Sequence, residues 1–559
     1  MARPYRILLL CVLLPAVALF AQSPQVVIDV VCDSSCYVTP PRPHNTKPRS
    51  KASKKMLAPL PDTFYYSAYD LYWKITVHDT GFSGEVDDLT DLYSLTDDIL
   101  MFRGNAFRST PFVGSVAGYP DTLIIDWTFN TGYDSRPSGY GSWGGGNGWT
   151  GQPLFVRWSD SLYNRFLSEP QNLTKKFARN EIIVASLCSR LYFINFETGD
   201  SSRHSIFLGN PIKGTPSIDP TYNGNIYIGQ GVPCQRPFGA MVVNLFKHKI
   251  THFERQDNKA WRDWGAYDSS PIRVGNFLFR PGENGTLYKY RISGDSLKLH
   301  TTMRYTMRYR NMKFESAGME ASMAVYRNYG YIADNFGDVL CVNLNTMKPV
   351  WHYYNYDDTD GSLVLQWEDD GLFLYTGCEV DHQGAKGLCY FVKLDALTGK
   401  RVWQQTFACN KVSMGEKHFD GGMYSTPLPG AGNCKDLIFF NLVTNDGTGM
   451  KGDFVAVRRS DGEVVYRTQL QHYAWSSPVA MLNEYGDMFV ITFDTQGMVY
   501  LIDAFSGEIL MCKKIGMNFE ASPIVIGNSV VIGSRGRTIY KMTFKQNPYV
   551  NNTNSKYDW

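Results

Sequence analysis

From Trp149 to Phe544 one unit recurs along this chain at a spacing of ~40 to 60 residues, a period that belongs to propeller blades among the known sequence repeats. Each copy opens on a small-residue or Ser-Pro motif, runs on as an alternating strand, turns at glycine into a strand carrying an aromatic, and reaches a last strand through an Asp/Thr-Gly turn. The start motifs are Thr150-Gly151-Gln152-Pro153, Gly214-Thr215-Pro216, Ser269-Ser270-Pro271, Ala321-Ser322, Ser425-Thr426-Pro427, Ser476-Ser477-Pro478 and Ala521-Ser522-Pro523, with Gly361-Ser362 a weaker eighth. Aromatics at 14% and 50 glycines suit strands joined by tight turns, so the reading is all-β.

The later parts of the unit each have a physical reason. The glycine ahead of a third strand, as in Asn284-Gly285-Thr286, Gly337-Asp338 and Gly497-Met498, supplies the positive φ of a hairpin turn. In Asp395-Ala396-Leu397-Thr398-Gly399 and Asp503-Ala504-Phe505-Ser506-Gly507, the aspartate closes the chain on itself and glycine takes the left-handed position. Trp351, Trp403 and Tyr466 follow such turns at equivalent places, where a flat side chain wedges against the next blade; they read as core.

The run Leu394 to Trp403, with its Asp-Ala-Leu-Thr-Gly ending on Trp403, resembles the repeat of the quinoprotein (PQQ-like) propeller family. The Ser-Ser-Pro starts resemble it too, as does the stretch from Phe102-Arg103-Gly104-Asn105 and Arg108 through Leu123 to Phe129. The resemblance implies a β-propeller of four-stranded blades. Seven complete units run through Lys514, and an incomplete one from Ala521 to Phe544 lacks its fourth strand. Thr122 to Asn130 has the composition of that strand, so it is expected to complete the last blade and close the ring, hiding its edges. The count is eight; because Ser159 to Asn180 reads as an insertion with helical stretches, a seven-bladed ring stays open.

Segments leading into inner strands converge on the mouth of a propeller. Here they bring Trp149, Asp268, Glu320, Tyr424, Trp475 and Glu520 to one rim. Carboxylates and aromatics together suit a cationic, sugar-like or aromatic ligand, and carboxylates suit Ca²⁺. The plainer alternative is that these side chains cap the inner strands and bond neighbouring backbone. In the dehydrogenases of the resembled family, the resemblance implies a quinone held with Ca²⁺ beside a disulfide of adjacent cysteines. This chain has no adjacent cysteine pair and no Cys-x-x-Cys, so the expectation is the non-enzymatic branch with no cofactor. The leading function is an exported binding or scaffold module for a protein or glycan. A PQQ/Ca²⁺ oxidoreductase and a surface glycan-binding or glycan-processing protein are the alternatives.

Other signals mark turns and compartments. Asp357-Asp358-Thr359-Asp360-Gly361 lacks the spacing of a calcium loop and reads as a solvated turn between blades. Asn445 to Gly449 reads as a hairpin loop, and Gly144 to Gly148 as flexible backbone before the first blade. Arg3 and Arg6 before the apolar run Ile7 to Phe20 read as a signal peptide over 1–21, giving a secreted or periplasmic protein. A Pro- and Lys-rich linker over 22–61, an extension over 62–121, the propeller over 122–545 and a tail over 546–559 follow. Lys plus Arg number 55 against 53 for Asp plus Glu, a balance with no field to draw the chain to nucleic acid or an anionic membrane. No later run is long enough to span a bilayer, and a monomer is expected. Of 11 cysteines, Cys11 falls in the leader; the rest suit buried thiols or disulfides alike.

Overall fold

The computed structural model describes residues 65–66, 71–110, 113–139, 143–148, 151–307, 317–414, 417–445 and 450–546. The proposed leader and linker, Trp149, residues 446–449 and the tail past Gln546 lie outside them. Among the described residues the strands form eight antiparallel blades around one axis: 154–207, 217–255, 272–307, 324–354, 364–410, 428–470, 479–514, and 524–545 with Thr122–Asn130. The weak start at Gly361-Ser362 therefore opens a full blade, the fifth. The insertion in blade 1 contains a helix, Asp160–Leu167, whose cap Ser159 accepts from the Leu162 N–H, and a 3-10 turn, Pro170–Asn172.

Thr122–Asn130 lies antiparallel to Thr538–Lys545 along its whole length, from Asn130 opposite Thr538 to Thr122 opposite Lys545. Chain start and chain end thus share blade 8, which closes the ring at eight. The edge is removed covalently at one side and by hydrogen bonds at the other.

Large aromatics lock neighbouring blades. Trp351 of blade 4 donates its indole N–H to Ala396 O at 2.9 Å, Trp403 of blade 5 to Arg459 O at 2.8 Å, and Tyr466 of blade 6 its hydroxyl to Ala504 O at 2.8 Å. Trp127 does the same from blade 8 to blade 1, reaching Phe196 O at 2.9 Å. The turn each one meets has its own logic. Asp395 Oδ1 accepts from the N–H groups of Leu397 and Thr398, both at 2.9 Å, and Gly399 sits at φ 71° flat against the Trp351 ring. A Cβ at Gly399 would lie 2.6 Å from that ring, so both conformation and packing demand glycine.

The extension runs down the outside of blade 3, where Leu71–Val77 pairs with Ser296–Met307 and covers that blade's outer edge. It then crosses the lower face, opposite the mouth, and turns into the channel. Ile99 pairs with Phe155 of blade 1, Leu100 O accepts from Ile218 of blade 2, Ala106 O from Val325 of blade 4, and Phe107 O from Leu365 of blade 5. Among the described residues no helix is long and apolar enough to cross a membrane.

Candidate functional site: the mouth of the ring

The start motifs build the mouth. At five of the blade junctions the Ser or Thr of one motif accepts, through its hydroxyl oxygen, from the backbone N–H of the motif one blade earlier. Gln152 N–H donates to Thr215 Oγ1 at 2.8 Å, Ser270 to Ser322 Oγ and Ser322 to Ser362 Oγ at 2.9 Å, Thr426 to Ser477 Oγ at 2.9 Å, and Ser477 to Ser522 Oγ at 3.2 Å. The first residue is small because the next blade's backbone is close: a Cβ at Gly214 would lie 2.2 Å from Asp268 O. Small-Ser/Thr-Pro is thus an inter-blade hydrogen-bond device, each bond contributing about 1 kcal/mol.

The residue just before each motif faces the mouth. Around the ring from blade 2 these are Lys213, Asp268, Glu320, Asp360, Tyr424, Trp475 and Glu520; Trp149 and Thr150 of blade 1 lie outside the described residues. Strand register supplies a second tier. Ile272 pairs with Phe279, Val364 with Tyr375 and Ile524 with Val531, and four residues beyond those partners stand Glu283, Glu379 and Arg535.

Under this ring lie two arginines of the extension. Arg108, fully buried, donates from Nε to Met323 O at 2.9 Å, from Nη1 to Phe102 O at 2.9 Å and from Nη2 to Ser270 O at 3.0 Å. Arg103 Nη2 reaches Pro478 O at 2.8 Å. Phe102 O apart, these carbonyls lie in the start motifs or directly after one, so the extension's two buried arginines are anchored at the centre of the ring beneath the mouth. Burial pulls the Arg108 guanidinium down to about 10, against the opposing effect of Tyr93 and Asp91.

The mouth has two halves. Blades 3 to 5 hold six buried carboxylates in two groups: oxygens of Asp268, Glu283 and Glu320 lie within 4.8 Å of one another, as do those of Asp358, Asp360 and Glu379. Lys213 forms an ion pair with Asp268, and Trp264 donates its indole N–H to Glu283 Oε2 at 2.7 Å. Burial pushes the Asp268 carboxyl up to about 6; Lys213 opposes the rise and Glu320 adds to it. Glu283 is raised well above its ordinary value by burial, then by Asp268 and Glu320. Such sites hold a proton or a hard cation in place of one.

Blades 6 and 7 supply the other half, where Tyr424 and Trp475 stack with centroids 4.9 Å apart and Tyr473 tilts against Trp475 at 5.6 Å. Both named aromatics are almost wholly buried, so their ring faces are largely taken up by each other. In blade 8 Glu520 accepts from Asn518 Nδ2 at 2.8 Å and lies 3.6 Å from Arg535 Nε.

Of the six expected rim residues, Asp268 and Glu320 share a carboxylate group with Glu283, Tyr424 and Trp475 stack, and Glu520 sits beside Arg535, while Trp149 lies outside the described residues; Lys213, Asp360, Asp358 and Glu379 stand beside them. Lys213 and Asp360 stand before start motifs as the others do, so the pattern that found Asp268 also marks them. One expectation is overturned: Asp357 to Asp360 is not a solvated turn but is buried within the ring. Asp357 accepts from the N–H groups of Asp381 at 2.9 Å and His382 at 3.0 Å and from Gln383 Nε2 at 3.0 Å, satisfying a charge that would otherwise need water.

The sequence matches no family model and no curated protein. Solved structures do share its architecture. Quinohemoprotein alcohol dehydrogenase from Comamonas testosteroni aligns at 12% identity over 82% of this chain and 82% of that one, with a TM-score of 0.54. The chain has the fold of the quinohemoprotein alcohol dehydrogenases. A europium-containing methanol dehydrogenase aligns at 11% identity over 80% of this chain and 98% of that one, with a TM-score of 0.52. BamB from Moraxella catarrhalis aligns at 15% identity over 67% of this chain and 98% of that one, with a TM-score of 0.45. At these identities the likeness speaks for architecture, and activity has to be argued from the site. The carboxylate groups of blades 3 to 5 are a fitting donor set for a hard cation. A quinone clamp of adjacent cysteines has no counterpart: the described cysteines Cys188, Cys234, Cys341, Cys378, Cys389, Cys409, Cys434 and Cys512 are separate in sequence.

Proposed function

We propose that this chain is an exported, non-catalytic binding propeller whose mouth receives a basic group presented by a protein partner. The observation that carries the reading is the segregation of the mouth, with carboxylates concentrated in blades 3 to 5 and an aromatic stack facing them from blades 6 and 7. A narrow, acidic mouth selects a single cationic side chain over a broad apolar surface, and charge complementarity of that kind speeds and orients docking. The glycan reading draws less support, because Tyr424 and Trp475 stack on one another instead of offering a free ring face. The oxidoreductase reading draws on the shared fold and on the hard-cation donor set.

Site-specific photo-crosslinking in the cell envelope tests it. Met517, 69% exposed and just ahead of Glu520, takes the photoreactive residue without disturbing the core. One dominant protein adduct is expected from that position, lost on Glu320→Gln or Asp360→Asn. Equal adducts from Tyr485 on the lower face, or no sensitivity to those two substitutions, would sink the reading.

A further inference from the structure

The lower face carries a slot of ≈ 400 Å³ that is separate from the mouth and built where the extension passes under blades 3 to 5. Three rings form its wall in successive edge-to-face contact. Phe107, held by its carbonyl under Leu365, meets Tyr326 at 6.1 Å and 72°, and Tyr326 meets Trp367 at 5.6 Å and 84°. Leu89 of the extension forms the other side. Trp367 is 50% and Leu89 43% exposed, an apolar surface that the fold itself leaves uncovered.

The charges around the slot are not equivalent. Asp91 is consumed internally: its oxygens accept from Tyr93 N–H at 3.1 Å, Ser94 Oγ at 2.6 Å and Ala106 N–H at 3.0 Å. Arg273 is consumed too, by Asp219 at 2.7 Å and Gly275 O at 2.8 Å. Arg327 is exposed, lies 5.3 Å from the Tyr326 ring centre, and makes no hydrogen bond or ion pair among the described residues. Nor does the Trp367 indole N–H. The groups left over include the Arg327 guanidinium, the Trp367 indole N–H and the Tyr326 hydroxyl, of which Arg327 alone is charged.

Arg327 also occupies a place where blades 3 and 8 carry glycine. The turns after Val274, Tyr326 and Ile526 are equivalent by register, and their first residues are Gly275 at φ 55°, Arg327 at φ 54° and Gly527 at φ 57°. An arginine in that conformation costs about 1 kcal/mol relative to glycine and sets the guanidinium over the slot's aromatic wall.

From the aromatic wall and the exposed, unbonded Arg327 beside it we infer that this slot is a docking site for a peptide segment of a partner protein, one that inserts a large apolar side chain and places an adjacent carboxylate on Arg327. A peptide fits better than a free small molecule, because small-molecule sites enclose ~70–90% of their ligand, whereas Trp367 and Leu89 leave this slot open along one side. Trp and Arg are also the residue types that anchor protein interfaces.

The site is tested with a phage-displayed heptapeptide library selected on the whole folded protein. Recovered peptides are expected to share a Phe, Trp, Leu or Met within two positions of Asp or Glu. Affinity of the best of them should fall about tenfold or more on Trp367→Ala and on Arg327→Glu, and on Asp→Asn or Glu→Gln in the peptide, while Arg327→Lys retains most of it. Both positions are exposed, and an unchanged urea midpoint verifies folding of each variant. The mouth variant Glu320→Gln should leave peptide binding untouched. The inference is overturned if no peptide is enriched on the native protein over Trp367→Ala, if the acidic residue proves dispensable, or if Glu320→Gln abolishes binding.

Discussion

Asp268 shows how a single buried acid records its surroundings. Its carboxyl, ordinarily near 3.8, is pushed up to about 6 in the folded chain by burial, against the pull of Lys213. Folding therefore takes up a proton between those values, and stability falls as pH rises through that window; Glu283 extends the decline upward. Urea unfolding from pH 4 to pH 7 should show a loss of up to about 3 kcal/mol, taking about 1.4 kcal/mol per pKa unit, and Asp268→Asn should flatten it. A rise in stability over the same range would contradict the assignment. Arg108 makes the complementary case, since its guanidinium satisfies three carbonyls beneath the mouth. Arg108→Met keeps the stem but orphans those oxygens, at a cost of about 3 kcal/mol or more in a denaturant titration. The rim residues were legible because each stands before a start motif. Glu283 and Glu379 were not, since only strand register places them, and the Asp357 to Asp360 run looked solvated because buried acids are rare unless bonded as Asp357 is.

At the level of elements, the local chemistry of turns carried most of the information. Asp395 and Asp503 accept from the backbone N–H groups two and three residues on, and glycine follows where the preceding blade's aromatic lies flat; both rules are visible in a few consecutive residues. The closing strand was legible for a topological reason: a blade lacking its fourth strand and an orphan strand of the right composition answer each other. Trp127 ties that strand to blade 1. Trp127→Ala should cost about 3–5 kcal/mol, as for other buried Trp truncations, and hydrogen exchange should quicken first at the blade 8–blade 1 junction. Exchange that quickens uniformly around the ring would argue against a localised closure. The path of the extension beneath the ring was not legible, because its contacts to the inner strands of blades 1, 2, 4 and 5 are one or two backbone hydrogen bonds each and leave no period in the sequence.

For the whole molecule, the ring closes on itself, and the mouth is where binding is proposed. Five of the blade junctions share one hydrogen-bond pattern, whereas the mouth residues vary from carboxylates to aromatics to an ion pair, so the mouth is where function is sought. Fold likeness reaches the quinohemoprotein alcohol dehydrogenases, which makes catalysis the decisive alternative. The most direct measurement is an absorption-monitored titration of the purified protein with pyrroloquinoline quinone in the presence of Ca²⁺, followed by an alcohol-dependent dye-reduction assay on the same sample. The binding account predicts no stoichiometric uptake of the quinone and no dye reduction above the protein-free control. Tight uptake with turnover, abolished by Asp268→Asn or Glu320→Gln, would contradict it and make the acidic mouth an active site.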